Sequence, residues 1–115
     1  MTSDESVIAP VLRVRDAEAA TAWYERLGFA EEWRHRFEDG MPLYVGLRRL
    51  DGARLHLSEH RGDAHAPALV YLYVPEVDAL ARACGTHAED LPWAREFQVT
   101  DPDGNRLRVG SPVTP

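Results

Sequence analysis

The order of elements in this chain runs twice, and that repeat limits the folds open to it. Residues 7–14 read as a strand rich in β-branched side chains, and Asp16 as the N-cap of a helix over 17–27. Ala20, Trp23, Tyr24 and Leu27 share one side of that helix, and Gly28 stops it. A second strand follows over 29–37. Asp39-Gly40 turns into a strand over 43–50, and Asp51-Gly52 into another over 54–59. Residues 60–67, with Gly62 and Pro67, form a polar connector. Then the order restarts. A strand is expected over 68–74 and a helix over 75–84 with Val77, Leu80 and Ala81 inward, closed by Gly85. Residues 86–92 read as irregular, 95–100 as a strand, 101–104 as a turn and 106–109 as a strand, with Pro112 and Pro115 marking a loose tail. Two copies are too few for a solenoid and indicate a duplicated strand-helix-strands module. The expected fold is α+β, one domain of two βαβββ modules spanning about residues 7–60 and 68–110. They pair into a curved mixed sheet around a cleft.

Strand alternation then sorts the side chains between two faces. Leu55, Leu57, Val70, Leu72, Leu107 and Val109 belong on the helix side. Arg54, His56, Ser58, Leu69, Tyr71, Tyr73, Arg106 and Arg108 point into the cleft. A polar and aromatic face on an apolar scaffold suits a ligand; its plainer reading is a solvated sheet face.

Composition narrows the partners. At 115 residues the chain has room for one core, and no apolar run approaches the about 18 residues of a membrane span. A net charge of -6 argues against nucleic acid and favours a cationic ligand. The single cysteine, Cys84, cannot form an internal disulfide and reads as a small apolar residue of the second helix. The polar, acidic first six residues lack the basic and apolar regions of a signal peptide, so a cytoplasmic location is expected.

Two runs carry more specific information. The first is Pro10-Val11-Leu12 through Arg15-Asp16, leading to Arg26-Leu27-Gly28-Phe29. The second is Pro92-Trp93-Ala94-Arg95-Glu96-Phe97 with Asp101-Pro102 and Gly104-Asn105. In order and spacing they resemble the glyoxalase and bleomycin-resistance (vicinal oxygen chelate) superfamily, and within it the bleomycin-binding resistance proteins, over nearly the whole chain. The Asp-Pro-x-Gly turn is shared across the superfamily; the Pro-Trp-x-Arg-Glu-Phe run is the specific part. The resemblance implies a homodimer with ligand clefts between subunits and an N-terminal strand exchanged about a proline, here Pro10. It also implies clefts that hold bleomycin-type glycopeptides by stacking aromatics on the flat bithiazole, with an acidic groove for the cationic tail.

Enzymes of this superfamily hold a metal with four His, Glu or Gln side chains. The matching positions read Ala9, His56, Leu69 and Arg108. One donor of four cannot hold a catalytic cation against water, and a guanidinium in the set repels it. No metal, no cofactor and no catalytic residue are therefore expected, and an enzyme is disfavoured. His35, His60, His65 and His87 fall at unrelated spacing and read as surface histidines. The Gly-x-Ser-x-Gly elbow and phosphate-cradling glycine loops are missing.

The expected ligand residues are Trp93, Trp33, Phe37, Ser58, Tyr71, His56 and Arg95. Trp93 follows a proline before a strand, where an aromatic plane is cheaply fixed; the alternative is packing under its own loop. Trp33 and Phe37 alternate to one side of their strand, as binding or as interface residues. Tyr71 and Ser58 match cleft positions of the resemblance. His56 lines the cleft as a hydrogen-bond partner or packs passively there. Trp23 and Tyr24 read as core. Arg13, Arg54, Arg106 and Arg108 on the cleft side ill suit a cationic drug unless Glu59 and Glu96 neutralise them. The leading expectation is non-enzymatic sequestration of a bleomycin-family antibiotic, conferring resistance. The alternatives are a superfamily enzyme of lyase or dioxygenase type using His56 and Glu59, and a binder of a small anionic metabolite.

Overall fold

The Asp16 carboxylate accepts from the backbone N–H groups of Glu18 and Ala19, both at 3.1 Å, and so starts the first helix. In the computed structural model, which describes residues 6–113, that helix is α1 (Ala17–Tyr24). It tightens into a 3-10 turn (Glu25–Leu27) and ends at Gly28 with φ 88°. Around it lie β1 (Val11–Arg13), β2 (Phe29–His35), β3 (Tyr44–Arg49) and β4 (Arg54–Ser58). The second module holds β5 (Leu69–Tyr73), α2 (Val77–Ala83), β6 (Glu89–Asp90), β7 (Ala94–Thr100) and β8 (Arg106–Pro112).

Each module forms a four-stranded mixed sheet, ordered β1-β4-β3-β2 in the first and β5-β8-β7-β6 in the second. The β1–β4 and β5–β8 pairs are parallel and the rest antiparallel, so the two modules share one plan. The duplicated α+β architecture expected from the sequence is the one observed. No helix among the described residues is long and apolar enough to cross a membrane.

Several boundaries move inward, as where β2 stops at His35 short of Phe37, and three differences have a clear physical reason. The first strand shrinks from residues 7–14 to Val11–Arg13. Pro10 has no N–H to extend the ladder; its carbonyl instead accepts from His56 N–H at 2.8 Å. The second is β6, two charged residues that pair with β7 through Glu89↔Glu96 and Asp90↔Arg95 where irregular chain was expected. A short, acidic edge strand carries no β-propensity signal. Third, β8 continues through Pro112, which pairs with Ala94. Pro115 and the first five residues lie outside the described residues.

The helix-facing sides of both sheets feed one core, in which Leu12, Leu55, Leu57, Leu107 and Val109 are all at most 2% exposed. Tyr24 is fully buried, Trp23 and Cys84 are half-buried against that core. Polar ties cross between the modules. The Tyr24 hydroxyl donates to Asp101 at 2.8 Å, and Asn105 Nδ2 donates to the Arg13 carbonyl at 3.1 Å. Arg15 pairs with Asp103 at 3.1 Å. The Arg49 guanidinium, its side chain 5% exposed, reaches Asp51, Glu76 and the Leu27 carbonyl. With the apolar sides used up in this way, each sheet turns its other side outward.

Candidate functional site: two aromatic sheet faces

On the first sheet the outward side holds a stack of rings. Trp33 pairs across the strands with Gly46, and Gly46 with His56, so all three share one face. A bulge between Glu31 and Trp33 sets that register. Because Gly46 has no side chain, the Trp33 indole lies over it; a Cβ there would collide with the ring. The indole stacks on Tyr44 at 5.7 Å with an interplanar angle of 7°, and His56 meets it edge-on at 5.1 Å. The Tyr44 hydroxyl and His56 Nδ1 are 2.8 Å apart. Burial, helped by the neighbouring Arg54 charge, holds the His56 pKa below the usual imidazole value, while Glu32 opposes the shift. Arg54 itself is paired with Glu32.

The second sheet carries a different arrangement, built around one carboxylate. Glu96 on β7 accepts at Oε1 from the Tyr71 hydroxyl at 2.8 Å and from the Trp93 indole N–H at 2.9 Å. Arg108 donates to both of its oxygens, at 2.9 and 3.1 Å. The guanidinium carbon lies 5.1 Å from the Tyr71 ring centre and 5.7 Å from that of Trp93. Chiefly because of the Arg108 hydrogen bonds, with those of Trp93 and Tyr71 adding, the Glu96 carboxyl is held down at about 2. Burial, with the bond to Glu96 next, lifts the Tyr71 phenol to about 12. Trp93 remains 55% exposed although its N–H is tied down. Beside it runs a polar groove of about 240 Å³ whose lining includes His87, Glu89, Glu96 and Gln98.

The expected ligand residues divide between and beyond these faces. Trp33 and His56 sit together on the first face, and Tyr71 and Trp93 on the second. Phe37 lies past the end of β2, 78% exposed, with His35 edge-on to it at 5.6 Å. Ser58 is fully buried, its hydroxyl donating to Asp63 at 2.6 Å and accepting from His60 N–H at 3.1 Å. Arg95 alternates to the opposite side of β7 from Glu96, where it binds Asp78 at 2.9 Å and Asp90 at 3.0 Å. Of the two carboxylates expected to neutralise arginines, Glu96 does so; Glu59 accepts from the backbone of Ala17 and Leu43 at 2.8 and 2.9 Å instead.

Sequence reasoning passed over Tyr44 and the two glycines beneath the rings, Gly46 and Gly110. For Gly46 the usable signal was a lone glycine inside an expected strand, which marks close approach of another group; Gly110 lay just past the strand expected over 106–109. Gly110 faces Glu96, and a Cβ there would collide with the Tyr71 hydroxyl.

Nothing in the four superfamily metal positions suits a cation. Ala9 and Leu69 carry no donor atom, the Arg108 guanidinium is locked to Glu96, and His56 is engaged with Tyr44.

A doubled strand-helix-strands module with ring-bearing outer faces defines a paired-module α+β protein. The family can be stated as well: a glyoxalase superfamily model matches residues 4–114, and the chain belongs to that family. Three solved structures show the same fold. One is a bleomycin-binding protein complexed with bleomycin, 24% identical, TM-score 0.71, covering 96% of this chain and 100% of that one. Another is the bleomycin resistance determinant encoded on the transposon Tn5, 24% identical, TM-score 0.74, with coverage of 96% and 100%. The third is TnmS3, an antibiotic binding protein from Streptomyces sp. CB03234, 21% identical, TM-score 0.73, with coverage of 97% and 100%. At these identities the likeness is one of fold. No curated protein sequence matches the chain.

Proposed function

We propose that this protein binds and sequesters a bleomycin-family glycopeptide antibiotic without transforming it, and so confers resistance by mass action. The observation that carries this reading is Trp93, an indole 55% exposed yet fixed by its N–H to Glu96. A flat surface held in place before the ligand arrives costs little entropy to use. Trp33, 40% exposed and stacked flat on Tyr44, offers a second plane of the same kind.

Charge supports the reading too. The arginines that weighed against a cationic drug are masked where the rings are, Arg108 by Glu96 and Arg54 by Glu32. The net charge of -6 then draws a cation in from a distance. That proteins of this fold bind bleomycin, or antibiotics more broadly, adds weight to it.

The partner in this proposal is a second copy of the chain. The ring pairs and hydrogen bonds of each face run within its own sheet, and Trp33 and Trp93 stay partly exposed, which leaves room for a partner against them. A homodimer that sets the Trp33 face of one protomer opposite the Trp93 face of the other would cover both, with the N-terminal strand exchanged between protomers. The location proposed is the cytoplasm.

Titration with metal-free bleomycin, followed by tryptophan fluorescence, tests the function. Quenching is expected, and Trp93→Ala should remove most of it. Unchanged fluorescence together with unchanged drug sensitivity in an expressing host would overturn the proposal.

A further inference from the structure

The second face contains a charged pair that a plain stacking surface does not need. Glu96 is buried, with a side chain 9% exposed, next to the half-exposed Trp93 indole that it holds. Four hydrogen bonds converge on it from three segments: one from Tyr71 on β5, one from Trp93 ahead of β7, and two from Arg108 on β8. A buried carboxylate is costly unless its oxygens are hydrogen-bonded, and here Oε1 accepts three bonds and Oε2 one. Remove its charge, and a lone guanidinium stands between two aromatic rings.

We propose that Glu96 is a positioning residue that gives the Trp93 face its ligand selectivity: it fixes the indole plane and cancels the Arg108 charge, so that the face accepts flat cationic or neutral ligands. The inference rests on the binding function proposed above and names the residue that sets its charge preference. It acts through Trp93 and Arg108, which make three of its four hydrogen bonds. The Gly110 position opposite it preserves the arrangement, because a Cβ there would press on the Glu96 Cβ at 3.2 Å.

Glu96→Gln keeps the size and an oxygen acceptor but leaves Arg108 uncompensated. Bleomycin affinity should fall at least about tenfold, which corresponds to about 1.4 kcal/mol. The deficit should shrink at about 1 M salt, where the Debye length is about 3 Å. Glu96→Gln combined with Arg108→Met removes both charges and should recover most of the affinity. A residue that merely held the fold together would behave oppositely, with the double variant weaker than the single one.

A second readout needs no drug. The Trp93 indole N–H resonance, identified by its loss in Trp93→Phe, should exchange slowly with solvent in the unaltered protein and in Glu96→Gln, and rapidly in Glu96→Ala. Wild-type bleomycin affinity in Glu96→Gln, a double variant weaker than the single, or rapid indole exchange in the unaltered protein would each overturn the inference. Failure of the unaltered protein to bind bleomycin would instead overturn the function, leaving the exchange measurement to decide the role of Glu96.

Discussion

The Tyr24 hydroxyl donates to the Asp101 carboxylate across 2.8 Å, joining the first helix of one module to the Asp-Pro-Asp-Gly turn of the other. Tyr24 is fully buried and Asp101 is 4% exposed, so water cannot replace the bond. Burial and the adjacent carboxylate push the Tyr24 phenol above its ordinary range. Asp101 also accepts from the backbone of Asp103 and Asn105 and from the Asn105 side chain, at 2.8 to 3.0 Å. It is therefore the hub of the module junction.

Tyr24→Phe leaves the ring in place and removes one donor from that carboxylate. Hydrogen bonds to charged groups contribute about 1.5–3 kcal/mol. Urea unfolding should show a loss in that range with an unchanged slope, because the same surface is exposed. A loss under about 0.5 kcal/mol, the scatter typical of surface changes, would remove Asp101 from the junction.

Gly46→Ala tests the first face. The added methyl meets the Trp33 indole, which must leave its stack on Tyr44. Overpacking of this kind costs about 1–3 kcal/mol. Near-ultraviolet circular dichroism should lose intensity while the far-ultraviolet signal stays, and Trp33 emission should move to the red. An unchanged aromatic signal would mean that the stack does not persist in solution.

The duplicated module could be read in the sequence because its signals are local. Asp16 and Gly28 bracket a helix, and two-residue alternation placed Leu55, Leu57, Leu107 and Val109 inside and His56, Tyr71 and Arg108 outside. Contacts made at a distance were hidden. Alternation puts Arg95 and Glu96 on opposite faces, but only the fold shows Asp78 and Asp90 waiting for Arg95, and Tyr71 and Arg108 for Glu96. Ser58 reads as a cleft residue by its strand position, yet the loop that brings Asp63 to it buries its hydroxyl. A polar side chain's neighbours follow from the tertiary fold, and periodicity reports only its side of the sheet.

His56 gives the first face a pH response. Its folded pKa is depressed, so the unfolded chain binds the proton more tightly. The stability it contributes is present above the free imidazole value, near 6.5, and is lost as the pH falls through the lower folded value. Protonation also places an imidazolium edge-on to Trp33, beside Arg54, and an imidazolium quenches a neighbouring indole. Tryptophan emission should therefore drop below pH 6.5 with a midpoint under that value, and His56→Gln should abolish the step. A midpoint above 6.5 would contradict the assigned environment.

Glu96 responds at lower pH with the same sign. Its carboxyl falls from an ordinary 4.5 to about 2 in the fold, so its stabilising charge is complete above 4.5 and disappears as the pH drops toward 2. Thermal melts between pH 5 and 3 should therefore fall more steeply for the unaltered protein than for Glu96→Gln. Parallel curves would show that the Arg108 pair adds no net stability.

Metal removal is the sharpest test of the enzyme alternative. A cation bound only by the folded state at a hundred times its dissociation constant adds about 2.7 kcal/mol, which moves a melting point by several degrees. The chain has nowhere to collect that energy from the four superfamily positions. Two are Ala9 and Leu69, the third is a guanidinium held at 2.9 Å by Glu96, and His56 alone offers a nitrogen. Among the described residues no cluster of three His, Cys, Asp or Glu side chains substitutes for them. Exhaustive chelation should thus leave the melting point where it was, and added zinc or manganese should not raise it. A rise of several degrees that saturates at one ion per chain would show a donor set elsewhere, and would put the enzyme alternative ahead of sequestration.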